Sequence, residues 1–352
     1  MEDELCRLVQ EYMSKNPVIV LGSGASVPHG IPGMGLLGEH LQNSILPLSC
    51  EDDKHKECWQ EFLERLKIED LESALTNISA TDEVTDHIVS TTWAFLNSED
   101  LNIYHQVIRD RRFLPLSRLF RYMFGSVNRE IHVVTPNYDR LAEYAAEAAG
   151  YATYTGFSFG YLGERTVTIP PKITLNGRPH RTVNVWKVHG SFGWFRDPAG
   201  VVVSLPPMLE PPSGLLPVIV TPGIEKYRIT HDEPFRSAMH NADAATQNAS
   251  AFLCIGYGFN DRHLQSRLIE RCQRDDVPLI LITKEISSTA HAFFKSGKCR
   301  KYIAIEEATQ GIKIYSNKYP NGNEMALLHK DLKCKAPLIE PNLRRNLGKW
   351  ST

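Results

Sequence analysis

The chain has 352 residues, a formal net charge of −2, 42% apolar residues and 23% charged residues. This is the make-up of a globular protein with room for two domains or for one domain with an insertion, and no global basic field argues for nucleic acid or an anionic membrane. The acidic start, Met1-Glu-Asp-Glu-Leu-Cys6, lacks the apolar stretch of a signal peptide, and apolar runs such as Leu279–Ile282 are far too short to span a bilayer.

Helical spacing of Leu5, Leu8, Val9 and Tyr12 predicts a short amphipathic helix over 3–14. Val18–Leu21 has the length and β-branched content of a buried strand. It runs into Gly22-Ser23-Gly24-Ala25-Ser26, a turn in which glycine permits positive φ and removes a Cβ that would block a ligand. A helix starting just beyond would point its free N–H groups at the same spot and favour an anion. The turn is not the G-x-G-x-x-G fingerprint, since Val27 stands at the third glycine position. Helical patterns dominate from Gly35 to Phe124: Leu36–Leu46, Cys58–Leu66, Leu71–Ile78, Val84–Leu96, Tyr104–Arg111 and Leu116–Met123. Pro115 and the polar cluster Asn97–Asp100 are expected to break them. Residues 35–125 thus read as an all-helical module inserted after the first βα unit. Arg109, Arg111 and Arg112 form a basic cluster there, expected as a solvated face or interface rather than a nucleic-acid contact.

Strand character returns at Ile131–Thr135, ends in Pro136-Asn137-Tyr138-Asp139 and gives way to a helix over Arg140–Ala149. Residues 151–182 read as loops with short strands. Val183–Val188 is the next strand and stops at His189-Gly190-Ser191. A proline-rich excursion over 197–217 precedes a buried strand at Val218–Thr221 and a helix at Phe235–Gln247. Strand Ala251–Ile255 ends in Gly256-Tyr257-Gly258-Phe259-Asn260-Asp261, followed by helix Arg262–Arg274, strand Pro278–Thr283, helix Ser287–Phe294 and strand Tyr302–Ile305. Beyond 306 the pattern weakens to a turn, a short helix near Met325–Leu332 and a polar tail carrying Arg344, Arg345 and Lys349, read as disordered or as a docking segment. The seven cysteines are scattered without a C-x-x-C pair, so reduced thiols in a cytoplasm fit best.

Strands alternating with helices imply an α/β fold, a doubly wound Rossmann-like parallel sheet carrying the helical insertion. The expected division is 1–34 with 126–310 for the sheet domain, 35–125 for the insertion and 311–352 for a C-terminal extension. Four strand ends carry glycine or polar signals: Gly22–Ser26, Asn137–Asp139, His189-Gly190 and Gly256–Asp261. Ligands of such sheets bind outside the carboxyl ends of the strands, so the four can converge on one crevice. Asn137, Asp139, Asn260 and Asp261 are also good helix N-caps, and each could be only that.

These residues resemble the sirtuin superfamily. Gly22-Ser-Gly-Ala-Ser-Val-Pro-His-Gly-Ile-Pro32 is similar to its G-A-G-x-S-x-x-x-G-I-P loop for NAD, Thr135-Pro-Asn-Tyr-Asp139 to T-Q-N-x-D, and Val188-His-Gly190 to the catalytic H-G. Gly256-Tyr-Gly258 and Leu281-Ile-Thr283 stand where the family holds the adenosine half. Two departures matter. Gly33-Met34-Gly35 replaces the D-F-R of the deacylases, and residues 189–220 contain none of their zinc cysteines. With the helical insertion, this resembles the zinc-less, sirtuin-like effectors of bacterial antiphage defence. Those hydrolyse NAD, often as oligomers, and some act with a HerA-type ATPase.

The resemblance implies an NAD glycohydrolase with NAD as substrate and no zinc, cytoplasmic and homo-oligomeric or partnered by such an ATPase. Asn137 would hold water or a ribose hydroxyl, and His189 would accept a ribose hydroxyl proton or activate water. Gly22, Ser23, Gly24, Ala25, Ser26, Ile31, Pro32, Asp139, Gly256, Gly258 and Asn260 would bind the dinucleotide, with Ile31 and Asp139 facing the nicotinamide carboxamide. The alternatives are an NAD-dependent protein deacylase and a non-enzymatic subunit that senses NAD or ADP-ribose.

Overall fold

A computed structural model of the chain describes residues 2–47, 50, 52–166, 172–221, 223, 232–309 and 311–326. In chain order the elements are α1 (Glu2–Ser14), β1 (Val18–Leu21), two 3₁₀ turns (Ser23–Ala25 and Val27–His29), α2 (Met34–Gln42), α3 (Asp53–Leu66), α4 (Leu71–Thr76), α5 (Asp82–Arg109), α6 (Pro115–Met123), β2 (Glu130–Thr135) and α7 (Leu141–Ala148). Then follow β3 (Ala152–Tyr154), β4 (Gly163–Glu164), β5 (Thr174–Leu175), β6 (Arg178–Pro179), β7 (Thr182–Lys187), β8 (Gly190–Arg196), β9 (Val202–Ser204), β10 (Leu216–Ile219), α8 (Phe235–Gln247), β11 (Phe252–Ile255), α9 (Arg262–Arg274), β12 (Leu279–Ile282), α10 (Ser288–Lys295), β13 (Tyr302–Ala308), β14 (Gly311–Ser316) and β15 (Tyr319–Ala326).

The main sheet runs β15-β14-β13-β12-β11-β1-β2-β7-β3. Its seven strands from β3 to β13 are parallel, and β14 and β15 add antiparallel at one edge. Every residue of β1, β7 and β11 is buried, as parallel strands covered on both faces require. One face packs under α1 to α7 and the other under α8 to α10. The helices of 34–123 share their apolar core with the sheet face rather than enclosing one of their own.

The central order β7-β2-β1-β11-β12-β13 reproduces the doubly wound Rossmann arrangement. The chain builds outward from β1 to β2 and β7, then returns to β11 on the other side. The winding reverses between β1 and β11, the place where such sheets take ligands outside their carboxyl ends.

Three expectations change. The cluster Asn97–Asp100 does not break a helix: α5 runs unbroken from Asp82 to Arg109. Asn97 and Asp100 are wholly buried, and partners elsewhere in the fold take up their polarity. The expected strand at Val218–Thr221 is β10, which belongs to a second, smaller sheet, β10-β8-β9-β4, paired antiparallel with β8. Residues 311–326, read as weakly patterned, form β14 and β15 of the main sheet, so Met325 ends a strand rather than starting a helix. The remainder of that predicted helix and Arg344, Arg345 and Lys349 lie outside the described residues.

Candidate functional site

The Gly22–Ser26 turn leaves β1 as a tight 3₁₀ turn and meets the end of β11 backbone to backbone. Gly22 N donates to Ile255 O at 3.0 Å, and Gly24 N to Gly256 O at 3.0 Å. A Cβ on Gly22 would stand 2.3 Å from Gly256 O. One on Gly24 would stand 2.9 Å from Gly256 Cα, and one on Gly256 (φ +58°) 2.2 Å from Ala25 N. The glycines are therefore required first for two loops to lock together. Ser23 and Gly24 remain exposed on the outer side of this lock.

The end of β2 is tied to the same turn. Thr135 Oγ1 donates to Leu21 O at 2.9 Å and accepts from Asn137 N at 3.0 Å. Asn137 Nδ2 donates to Gly22 O at 2.9 Å and to Ser26 Oγ at 3.0 Å. Ser26 Oγ passes its own hydrogen to Asp139 Oδ2 at 2.7 Å. The other carboxylate oxygen, Oδ1, accepts from Leu141 N at 3.2 Å. Asp139 is buried and both its oxygens are engaged, so it braces the turn rather than standing open to a ligand. Asn137 is not the helix cap, because Arg140 occupies that position.

Beneath this turn lies a charged network that sequence reasoning missed. Lys187, 1% exposed, donates to the backbone oxygens of Asn137 and Asp139 and pairs with Glu143 Oε1 at 3.3 Å. Burial raises the carboxyl of Asp139 above its ordinary range, with Lys187 and Ser26 pulling it back. Burial likewise pushes Glu143 up to about 7, opposed by Lys187. The adjoining Arg140 is clamped by Asp100, N to Oδ1 at 2.7 Å and Nε to Oδ2 at 2.8 Å, and by Asn97 Oδ1 at 2.7 Å. A lysine in the apolar run Val185-Trp186-Lys187-Val188 was the available signal.

His189 follows β7 and is pinned by the smaller sheet, where Val220 N donates to His189 O at 2.9 Å. Gly190 is obligatory: its φ is +92° and a Cβ would lie 2.3 Å from Val218 O. His189 Nε2 lies 3.1 Å from Asp261 Oδ2, beyond the end of β11, with both side chains 12% exposed. Asp261 Oδ1 accepts from His263 N and Leu264 N, each at 3.1 Å, as the N-cap of α9. Asn260 is exposed and accepts from Thr289 Oγ1 at 3.1 Å.

The four strand ends form a closed ring of contacts: β1 to β11 through the glycines, β1 to β2 through Ser26 and Asn137, β2 to β7 through Val188 N donating to Thr135 O at 3.2 Å, and β7 back to β11 through His189 and Asp261. The last link passes over the ends of β2 and β1. Beside the ring, a cavity of about 70 Å³ is lined by Gly24, Ala25, Gly256, Thr283 and Glu306. Ile31 is buried in the core under the turn and Pro32 is partly buried; Gly258 is also partly buried, its carbonyl accepting from Ser287 Oγ at 2.6 Å. Among the described residues no group of three or more His, Cys, Asp or Glu is arranged to hold a metal ion, and no helix is long and apolar enough to cross a membrane.

Residues 131–296 match the SIR2-like domain family. The matched segment runs from β2 through α10 and holds Asn137, His189 and Asp261, while the glycine turn precedes it. Among solved structures, the chain is similar to a crystal structure of a Sir2 homolog–NAD complex, at 14% identity over 86% of this chain and 88% of that one, with a TM-score of 0.45. It is also similar to a structure concerned with the mechanism and regulation of Sir2 enzymes, at 15% identity over 86% and 92%, TM-score 0.42. A third is a Sir2 bound to an acetylated peptide, at 13% identity over 77% and 82%, TM-score 0.35. A comparison with curated protein sequences finds no match.

Proposed function

We propose that the chain is an NAD glycohydrolase that cleaves the nicotinamide–ribose bond to give nicotinamide and ADP-ribose. The observation that carries this reading is the ring itself. A glycine turn, a fixed asparagine amide and a histidine paired with a carboxylate stand together at the carboxyl ends of the strands where the sheet reverses its winding. The SIR2-like segment and the loop resembling the NAD-binding motif support the same ligand.

Hydrolysis breaks the bond between ribose C1′ and the pyridinium nitrogen and forms one from a water oxygen to C1′. The bonding pair goes to the ring nitrogen, so nicotinamide leaves neutral and needs no general acid. The water proton goes to a base. The transition state is oxocarbenium-like, and what the site must supply is orientation, a stabilised ribosyl cation and a base for the water. His189 is the base, directly or through a ribose hydroxyl. Asn137 orients the water or ribose hydroxyl by accepting at Oδ1, since its Nδ2 hydrogens are given to Gly22 O and Ser26 Oγ. The outer side of the Gly22–Ser26 turn takes the phosphates, and the cavity beside Gly256 takes part of the adenosine half. Ile31 and Pro32 wall the nicotinamide end. Asp139 contributes by bracing Ser26.

Hydrolysis is favoured over protein deacylation by Gly33-Met34-Gly35 in place of Asp-Phe-Arg and by the lack of cysteine over 189–220. The matching cellular role is depletion of NAD as an effector of antiphage defence, as a homo-oligomer or with a HerA-type ATPase. Asn137→Ala and His189→Ala should each abolish NAD consumption while the protein stays folded. Full activity in both variants would overturn the site assignment.

A further inference from the structure

We infer that Asp261 is the positioning residue for His189, fixing which imidazole nitrogen carries the hydrogen and which is left to act on substrate. The inference deepens the NAD-hydrolase reading and rests on it for its kinetic consequence. Three observations carry it. Asp261 Oδ2 lies 3.1 Å from His189 Nε2, an ion-pair contact in which the carboxylate favours a hydrogen on Nε2. The carboxylate cannot swing away freely, because Oδ1 accepts two backbone N–H groups at the start of α9. Its backbone is held as well, by the Tyr257 hydroxyl donating to Asp261 O at 3.4 Å, with Tyr257 itself buried. Among the described residues Nδ1 of His189 has no hydrogen-bond partner, so the tautomer set by Asp261 leaves Nδ1 as the free acceptor.

A helix cap alone would not explain the arrangement. The two strands that carry these residues, β7 and β11, are separated in the sheet by β2 and β1. Neighbouring strands lie about 4.8 Å apart, so the residues meet only because the His189 turn and the Gly256–Asp261 loop lean toward each other over the ends of β2 and β1. Capping uses one oxygen of Asp261, and the other is the one that reaches His189.

Asp261→Asn separates the two roles. Asparagine caps a helix as well as aspartate does, so the amide oxygen keeps the cap, and the amide nitrogen then faces His189 as a donor. Nε2 must accept, and the hydrogen moves to Nδ1. We expect kcat for NAD hydrolysis to fall at least about a hundredfold, the scale of a misplaced general base, with KM and melting temperature little changed. Asp261→Ser, which also caps but offers no fixed partner, should lose less. Nitrogen-15 spectra of histidine-labelled protein, with His189 assigned through His189→Gln, give a readout that needs no turnover: Nε2–H in the wild type and Nδ1–H in Asp261→Asn. Wild-type kcat in the Asn variant, or a His189 tautomer that is Nδ1–H in the wild type or unchanged by the substitution, would overturn the inference. A wild type that hydrolyses no NAD but shows the tautomer switch would sink the hydrolase reading and leave the positioning role standing.

Discussion

Glycine at 22, 24 and 256 serves a different end from the one its sequence context suggests. Bare backbone in a strand-to-helix turn reads as room for a phosphate, but here the nearest atoms to the missing Cβ groups belong to the partner loop. Gly256→Ala should therefore unlock the two loops. Its φ of +58° and a Cβ 2.2 Å from Ala25 N cannot both be relieved locally, so a loss above about 1 kcal/mol in denaturant unfolding is expected. Gly35→Ala is the contrast: nothing lies within 4 Å, the residue sits inside α2, and a gain of roughly 0.5–1 kcal/mol is expected. The turn at the end of β1 was legible from sequence. Its convergence with the Gly256–Asp261 strand end was also expected, but the direct backbone lock between them was not, because β11 is more than 200 residues away in the chain.

At the scale of elements, the turn between β2 and α7 is held from below by charges that composition hides. Asp100 is wholly buried on α5 and holds Arg140, which is itself buried. Asp100→Ala leaves that guanidinium without its counter-ion and should cost about 3–5 kcal/mol in chemical denaturation. Asn97 and Asp100 read as helix breakers because polar residues in a cluster usually face water. Only the position of Arg140 turns them into anchors. Glu143 supplies a pH test. Its folded-state pKa of about 7 lies above the ordinary 4.5, so the native state binds the proton more tightly than the unfolded chain between those values. Its contribution is complete below pH 4.5 and is lost as pH rises through 7, a change of roughly 3 kcal/mol. Glu143→Gln should thus gain stability relative to the wild type between pH 5 and pH 8 in urea titrations, and a pH-independent difference would count against the buried-carboxyl account. Strand and helix positions from β11 to β13 were readable, since each has a single period and clear caps. The smaller sheet was not, because β10 carries the same apolar pattern as a core strand and pattern alone does not choose the sheet it joins.

For the whole molecule, a sheet cored on both faces brings four strand ends together at one side, and backbone and side-chain contacts tie them into a ring. A ligand bound at that side stabilises the native state by mass action, so ADP-ribose at a hundred times its dissociation constant should add about 2.7 kcal/mol and raise the melting temperature. That shift should vanish in Gly256→Ala. The central claim is tested most directly by incubating the purified full chain with NAD and following substrate and products by chromatography, beside Asn137→Ala and His189→Ala of equal melting temperature. The account predicts equal amounts of nicotinamide and ADP-ribose from the wild type and neither from the variants. NAD left intact by the wild type, or products formed as readily by both variants, would contradict it.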